Sequence, residues 1–408
     1  MVNKFYYVKG GSETYLFALK RLLEENGHEV IPFSMKDEKN YESEYENYFI
    51  DNIDYTDKKI VNKMKNASKI VYNFDANKKL RKLIKKTKPD IAHLHIFQHQ
   101  LSPSILSVLK EENIPIVYTV HDLKPICLNY KMMNGKGICE KCMGGKYYNC
   151  IKGKCVKNSY LFSLINVIEG YFHKMLKSYD KIDKFITPSN FYRKKMIEAG
   201  FDERRIIHVP NFIEINDFEP SYKFKDYFIY VGRLSEEKGI KTLIKAMKDV
   251  NRSCLKIVGT GPIEDELKSI VNEEKITNIQ FLGFKTGNEL KEIVKNSKFM
   301  VITSEWYENG PMSVIEAMAY GKPIIGSNIG GIPEMIKNNV NGYIYETFNS
   351  NELSKCINKL LDSNNDIVSF GIKSRKTVEA YYNSQYHYDK IISIYNNILN
   401  EKNKKIGG

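Results

Sequence analysis

No stretch of the chain approaches the roughly 18 to 20 consecutive apolar residues that a membrane-spanning helix needs, and no positively charged, then apolar leader opens it. Both absences predict a cytosolic protein, at most peripheral to the inner face of a membrane. Acid is in short supply. Sixty-two Lys and Arg stand against 49 Asp and Glu, a net charge of +13, which suits an anionic membrane face, a polyanionic acceptor or nucleic acid. Cysteine is scarce outside one cluster, since five of the seven fall between Cys127 and Cys155. That distribution argues against a disulfide scaffold and for one local thiol feature in a reducing compartment. Repeats of solenoid length are missing, and Gly259-Thr260-Gly261 lacks the rest of a dinucleotide fingerprint. The 408 residues that remain, 42% of them apolar, are globular and sufficient for two or three domains.

Strand and helix patterns alternate along the first half. VNKFYYVKGGSETYLFALKRLLEENGHEV reads as a strand end, a turn at Gly10 and Gly11, a helix over 12–26 and a strand over 29–33. Leu16, Leu19, Leu22 and Leu23 supply the helix's buried stripe. Residues 36–90 are Lys- and Asn-rich and end in a basic amphipathic helix, with Leu80, Leu83 and Ile84 set among lysines. Such a helix is either an ordinary surface helix or one that lies on anionic lipid. Strands over 91–96 and 115–120 follow, separated by a helix over 103–111. The second strand runs into His121 and Asp122, a titratable pair at the carboxyl end of a parallel strand, where ligands of α/β folds bind. In the insertion at 127–155, Cys139-x2-Cys142 and Cys150-x4-Cys155 have spacing for a structural zinc site, with Gly- and Lys-rich turns that would lower thiol pKa values. Two disulfides or free thiols are the alternatives, and Cys127 is a fifth candidate ligand. Four thiolates leave no open position for catalysis. The next helix, in SYLFSLINVIEGYFHKMLKSYDK, carries apolar residues on more than one face. Core burial between layers is the expectation, with insertion into a membrane surface as the alternative.

The second half is organised around FMVITSEWYENGPMSVIEAMAYG (299–321), a strand over 299–302, a polar loop over 303–310 and a helix over 311–320 closed by Gly321. Pro311 at the first helical position leaves the N–H groups of Met312 and Ser313 free for an anion. Glu308 ends the loop and Glu316 lies two turns into the helix. A positive dipole end with two carboxylates suits a ligand that carries both phosphate and hydroxyls, as a nucleotide-sugar does. Upstream, the strand at 227–232 leads into RLSEEKG, where Arg233 and Lys238 flank a loop before a helix and can neutralise a diphosphate. The pattern predicts an α/β protein of two Rossmann-like domains with parallel sheets. Residues 1–211 form the first, 212–226 a linker, 227–380 the second, and 381–408 a terminal helix.

The spacing Glu308-x7-Glu316, with VGRLSEEKG (231–239), TPSNFYRKKMIEAG and HVPN, resembles the family-4 retaining glycosyltransferases of the GT-B fold. The resemblance implies a nucleotide-sugar donor held by the second domain across a cleft from a glycan or lipid-linked acceptor on the first, and a terminal helix over 381–408 that crosses back to the first domain. It implies that His121 lies beside the transferred sugar, and that Gly10 and Gly11 face the donor phosphate or the acceptor. Arg233 and Lys238 would stabilise the departing nucleoside diphosphate, so that no cofactor is required. Glu308 would bind sugar hydroxyls and Glu316 the ribose, with Gly259, Gly261, Gly310, Met312 and Ser313 completing the donor site. It further implies retention through an oxocarbenium-like state and a role in surface polysaccharide or glycoconjugate synthesis. Such proteins usually have a full apolar strand where this chain has only Met1, so a missing central strand with two exposed neighbours is expected. Nucleotide-sugar epimerisation or glycoside phosphorolysis on the same fold is the alternative. A zinc-bearing nucleic-acid binder is disfavoured, because no base-stacking aromatics interleave with the basic runs.

Overall fold

The computed structural model describes residues 1–52, 68–135 and 137–406. Part of the Lys- and Asn-rich stretch, 53–67, and position 136 of the Cys-rich insertion lie outside the described residues. The chain divides into two compact units, one of Met1–Val209 with Tyr388–Gly408 and one of Pro210–His387.

The first unit is built on a parallel sheet of β1 (Ala92–Leu94), β2 (Ile116–Thr119), β3 (Lys184–Thr187) and β4 (Ile206–His208), in that spatial order. All four strand positions of β2 are buried, as expected of a strand covered on both faces. The opening residues correct one expectation. The main chain of residues 1–4 bonds to Phe33 on one side and to His93 and Ile96 on the other, for instance Asn3 N to Phe33 O at 3.2 Å and Lys4 N to Ile96 O at 2.7 Å. Val2 forms parallel bridges to both Phe33 and Leu94. Residues 1–4 thus fill the central position and pair both neighbours. The first helix, α1 (Gly11–Glu25), buries Leu16, Leu19, Leu22 and Leu23. The basic helix α2 (Phe74–Thr87) buries Leu80, Leu83 and Ile84, so its apolar stripe is spent on the core, while Lys78, Lys82, Lys85 and Lys86 face solvent and Lys79 Nζ donates to Phe49 O at 2.7 Å. A short helix, α3 (Ile105–Glu111), lies between β1 and β2.

Helix α4 (Tyr160–Met175) reverses the sequence expectation. Its buried side chains are Ser163, Asn166, Val167, Glu169 and His173, whereas Tyr160, Leu161, Leu164, Ile168, Tyr171 and Met175 are 39–71% exposed. The cause is a buried charge. Lys124 is 5% exposed, and its Nζ donates to Asn166 Oδ1 (2.8 Å), Glu169 Oε2 (3.1 Å) and Leu128 O (3.0 Å). An ammonium inside a protein needs that many acceptors, and α4 supplies two of them by turning its polar side inward. His173 completes that side, bonded to Ser178 Oγ (2.9 Å) and Val71 O (2.7 Å). After α4, β3 leads through Ser189, whose hydroxyl caps α5 (Asn190–Glu198), into β4.

The second unit holds a six-stranded parallel sheet of β5 (Tyr227–Val231), β6 (Cys254–Val258), β7 (Ile279–Gly283), β8 (Met300–Ile302), β9 (Ile324–Ser327) and β10 (Gly342–Tyr345), in the order β10-β9-β8-β5-β6-β7. Side chains alternate between two cores, as the strand period of two requires. Phe228, Tyr230, Ile257, Phe299 and Val301 pack on one face, and Tyr227, Ile229, Met300, Ile302 and Ile324 on the other. Helices α6 (Ile240–Ala246), α7 (Glu264–Glu273), α8 (Gly287–Lys295) and α9 (Met312–Ala319) connect successive strands. Residues 212–226 pack within this unit, with Phe212 and Ile213 buried and Lys322 Nζ donating to Ser221 O at 2.7 Å. The last helix, α10 (Ser384–Ile406), begins in the second unit and belongs to the first from Tyr388 onward. Among the described residues, no helix is long and apolar enough to cross a membrane.

Candidate functional site

In the second unit the loop after β8 is built around one carboxylate. Glu308 is 7% exposed, and its Oε1 accepts from Lys238 Nζ (2.5 Å), Ser304 Oγ (2.5 Å) and Trp306 Nε1 (2.8 Å). Burial alone would push this carboxyl up; the Lys238 ammonium and the three donors outweigh it and hold the group below the ordinary carboxylate range. Lys238 is positioned in turn by the chain around it. Thr303 Oγ1 donates to Lys238 O (2.8 Å), and Glu305 N to Glu237 O (2.8 Å), so the loop after β5 and the loop after β8 are tied together on either side of the ion pair. Ser327 Oγ, at the end of β9, donates to Ser304 O at 2.7 Å. Gly330 closes the far side, where a Cβ would stand 2.5 Å from both the N and O of Glu308.

The Gly259 and Gly261 turn approaches the loop after β5. A Cβ on Gly259 would lie 2.0 Å from Gly232 O, and one on Gly261 2.1 Å from Leu234 O. These glycines therefore let the turn seat against the chain that carries Arg233. Arg233 itself is exposed and makes no side-chain bond among the described residues.

Helix α9 starts one residue later than expected, with Pro311 as its cap rather than its first helical residue. Val314 and Ile315 N–H groups bond back to Pro311 O; those of Met312 and Ser313 precede the first intrahelical bond and remain the orphans of the helix start. Gly310 is held by Asn211 Nδ2, which donates to its carbonyl at 2.7 Å. Glu316, on the second turn, is half-buried and has no side-chain partner among the described residues. Burial pushes its carboxyl up to about 7, against a weaker pull from Lys291.

In the first unit His121 follows β2 and belongs to a histidine stack. His93 and His95 rings lie 4.5 Å apart, and His95 and His121 5.3 Å apart. His95 Nδ1 and His121 Nε2 share a hydrogen bond of 3.1 Å, and Tyr15 meets the His121 ring edge-on at 5.1 Å. Burial pushes His121 down to about 3, so the imidazole is neutral at physiological pH. Asp122 is pushed up by burial, opposed by the Lys124 N–H and the charges of Lys4 and Lys124. Gly10 precedes α1 with φ −170°, an extended conformation open to any residue, and a Cβ there would meet only Glu13 Oε2 at 3.9 Å. Gly11 is the first residue of α1. Neither turn geometry nor packing of the chain itself demands glycine at position 10.

The zinc expectation finds no support among the described residues. Cys139, Cys142, Cys150 and Cys155 are free thiols, as is Cys127, and no three His, Cys, Asp or Glu among the described residues gather where they could hold one ion. Cys142 and Cys150 pack with Leu128 and Val167 in a small apolar cluster, while Cys127 Sγ contacts Asn129 Oδ1 at 2.9 Å. Burial pushes the Cys127 and Cys142 thiols up to about 11 and about 12, and the neighbouring thiols add to the rise. Only Cys155, bonded by Cys150, is drawn down, to about 7.

Sequence reasoning missed Ser304 and Trp306 as partners of Glu308, Asn211 as the tether of Gly310, and His93 and His95 behind His121. The available signal was positional, since Ser304 and Trp306 flank Glu308 in one short loop and both histidines occupy β1 and its exit.

Two family models match the chain, Glycosyltransferase Family 4 over residues 9–217 and Glycosyl transferases group 1 over residues 211–377. An uncharacterised glycosyltransferase of Methanocaldococcus jannaschii is 24% identical over 89% of this chain and 88% of its own. The amylovoran biosynthesis glycosyltransferase AmsK of Erwinia amylovora is 26% identical over 50% of this chain and 54% of its own. Among solved structures, Anabaena HepE in complex with UDP and glucose superposes with a TM-score of 0.66 over 97% of this chain and 98% of its own, at 15% identity. The two parallel-sheet units and these matches make the chain a glycosyltransferase of the GT-B fold, and it belongs to glycosyltransferase family 4.

Proposed function

We propose that the protein transfers a sugar from a nucleotide-sugar, with retention at the anomeric carbon, to a glycan or lipid-linked acceptor in surface polysaccharide or glycoconjugate synthesis. The observation that carries the donor assignment is the half-buried, unpartnered Glu316 on a helix whose first N–H groups lack acceptors. A carboxylate can take two donors at once, and the 2′- and 3′-hydroxyls of a ribose provide two. Met312 and Ser313, with the Gly310 carbonyl held in place by Asn211, would bind the donor's phosphate and sugar.

Arg233 and Lys238 stabilise the nucleoside diphosphate as it leaves, two cations aimed where negative charge develops. The ion pair with Glu308 gives Lys238 a fixed position before the donor arrives, and the second oxygen of Glu308 serves the sugar hydroxyls. Gly259 and Gly261 support the Arg233 loop and let the nucleotide approach its backbone. On the first unit, His121 acts beside the transferred sugar as a neutral hydrogen-bonding group, and the open surface at Gly10 and Gly11 admits donor phosphate or acceptor. HepE in complex with UDP and glucose, and AmsK as a glycosyltransferase of amylovoran biosynthesis, support a nucleotide-sugar donor and a polysaccharide context.

Calorimetric titration of a panel of nucleotide-sugars in the presence of EDTA tests this reading, with Glu316→Ala and Arg233→Ala beside the wild type. One donor should bind selectively, and both variants should weaken it by about tenfold or more. Indifference of the folded wild type to every donor overturns the assignment.

A further inference from the structure

Among the described residues, helix α4 has an exposed apolar face. Tyr160, Leu161, Leu164, Ile168, Tyr171 and Met175 follow one another along one side of a helix that is anchored to the first unit by its opposite, polar side. Leu161 is 61% and Met175 71% exposed, and a contiguous apolar stripe of this kind marks an interaction surface. Tyr72, in edge contact with Phe172 at 6.2 Å, and the 76% exposed Phe74 extend it at the C-terminal half of the helix.

The charge around this face is predominantly positive. Between residues 141 and 179 the chain has seven lysines and a single acid, Glu169, which is buried and paired with Lys124. Of the acids that flank this stretch, Glu140 pairs with Lys195 and Asp180 is exposed. Lys154 and Lys157 sit over the Tyr160 and Phe162 rings at 4.5 and 4.9 Å, and Lys174 and Lys177 follow at the other end of the helix. Apolar and aromatic side chains rimmed by lysine match the boundary between acyl chains and anionic headgroups. A second copy of the chain is a poor occupant, because a two-fold contact would bring the same lysine rim against itself.

We propose that the exposed face of α4, with its lysine rim, docks the protein on the surface of an anionic lipid bilayer. This assignment is independent of which donor the second unit binds. Of the two helices for which the sequence left lipid contact open, it selects α4, because α2 spends Leu80, Leu83 and Ile84 on the core.

The test is cosedimentation of the full chain with vesicles of phosphatidylcholine alone, or of phosphatidylcholine and phosphatidylglycerol in equal amounts, at low and high salt. The wild type should bind the mixed vesicles, bind pure phosphatidylcholine at least tenfold more weakly, and be released by salt. Leu161→Ser with Ile168→Ser should lower partition into mixed vesicles by roughly tenfold or more, and Lys154→Glu with Lys157→Glu should abolish the preference for phosphatidylglycerol. Both double variants should keep the wild-type melting temperature and donor titration. Equal binding of wild type and the Leu161/Ile168 variant overturns the proposal, as does a wild type indifferent to phosphatidylglycerol. A dimer in light scattering that the same variant splits assigns the face to a second copy and overturns it as well.

Discussion

Glu316 makes an opposing demand on stability and on binding. Its carboxyl rises from the ordinary 4.5 to about 7 because burial has removed water and no partner has replaced it. At about 1.4 kcal/mol per pH unit, ionising it in the ligand-free fold costs about 3 kcal/mol, and partial exposure lowers this. The sign follows from linkage. The folded state binds this proton more tightly than the unfolded state, so stability falls as pH rises from about 4.5 to about 7 and is flat above. Glu316→Gln removes the titration. In urea unfolding followed by the fluorescence of Trp306, the chain's single tryptophan and a residue of the same unit, the variant should gain about 1–2 kcal/mol on the wild type between about pH 5 and about pH 8.5. Donor binding should move the other way. Losing a charged acceptor for two hydroxyls weakens the donor by about tenfold to a hundredfold, and near pH 7 the wild type should release about half a proton on binding, read from calorimetry in buffers of different ionisation enthalpy. A stability gap that does not change with pH, together with binding that releases no proton, would refute the reasoning.

Lys238→Met should leave Glu308 buried without its counter-charge and destabilise the second unit by about 3 kcal/mol, a loss that Glu308→Gln in the same chain largely restores in a double-mutant cycle. Because Glu308 is held below its ordinary range, its contribution is present above about pH 4.5 and lost as pH falls through the folded value, so Glu308→Gln should show a shallower acid unfolding limb. Gly259→Ala, with φ +131° and a Cβ 2.0 Å from Gly232 O, should lower the melting temperature by several degrees. Gly10→Ala should leave melting unchanged and reduce transferase activity, since only a ligand is expected to need that space.

The βα alternation, the parallel sheets and the loop around Glu308 were legible because they rest on local periodicity and on punctuation by Gly and Pro. The strands at 299–302 and 227–232 were found nearly to the residue, since a strand covered on both faces must be continuously apolar. The site's internal bonds were not legible. Nothing in the order of residues says that Ser304 and Trp306 both aim at one oxygen of Glu308, or that the glycines at 259 and 261 spend their missing Cβ on Gly232 and Leu234. The surroundings of the cysteines were not legible for a related reason. Spacing reports which thiols could meet, but not that Cys142 and Cys150 pack beside Leu128 and Val167.

Helix α4 separates two quantities that periodicity treats as one. A hydrophobic stripe identifies the face of a helix that differs from the rest; it names the buried face only if apolar burial dominates the energy of placement. Lys124 changes that balance. Its ammonium is buried within the first unit, and leaving it without Asn166 and Glu169 would cost about 3–5 kcal/mol, comparable to exposing about two leucine or isoleucine side chains. The polar side of α4 is therefore held inward, and the apolar side is turned to solvent by the same rotation. A helix that folds this way keeps its unfavourable exposure only as long as nothing covers it, so the lysine rim and the apolar stripe are best understood as two parts of one surface.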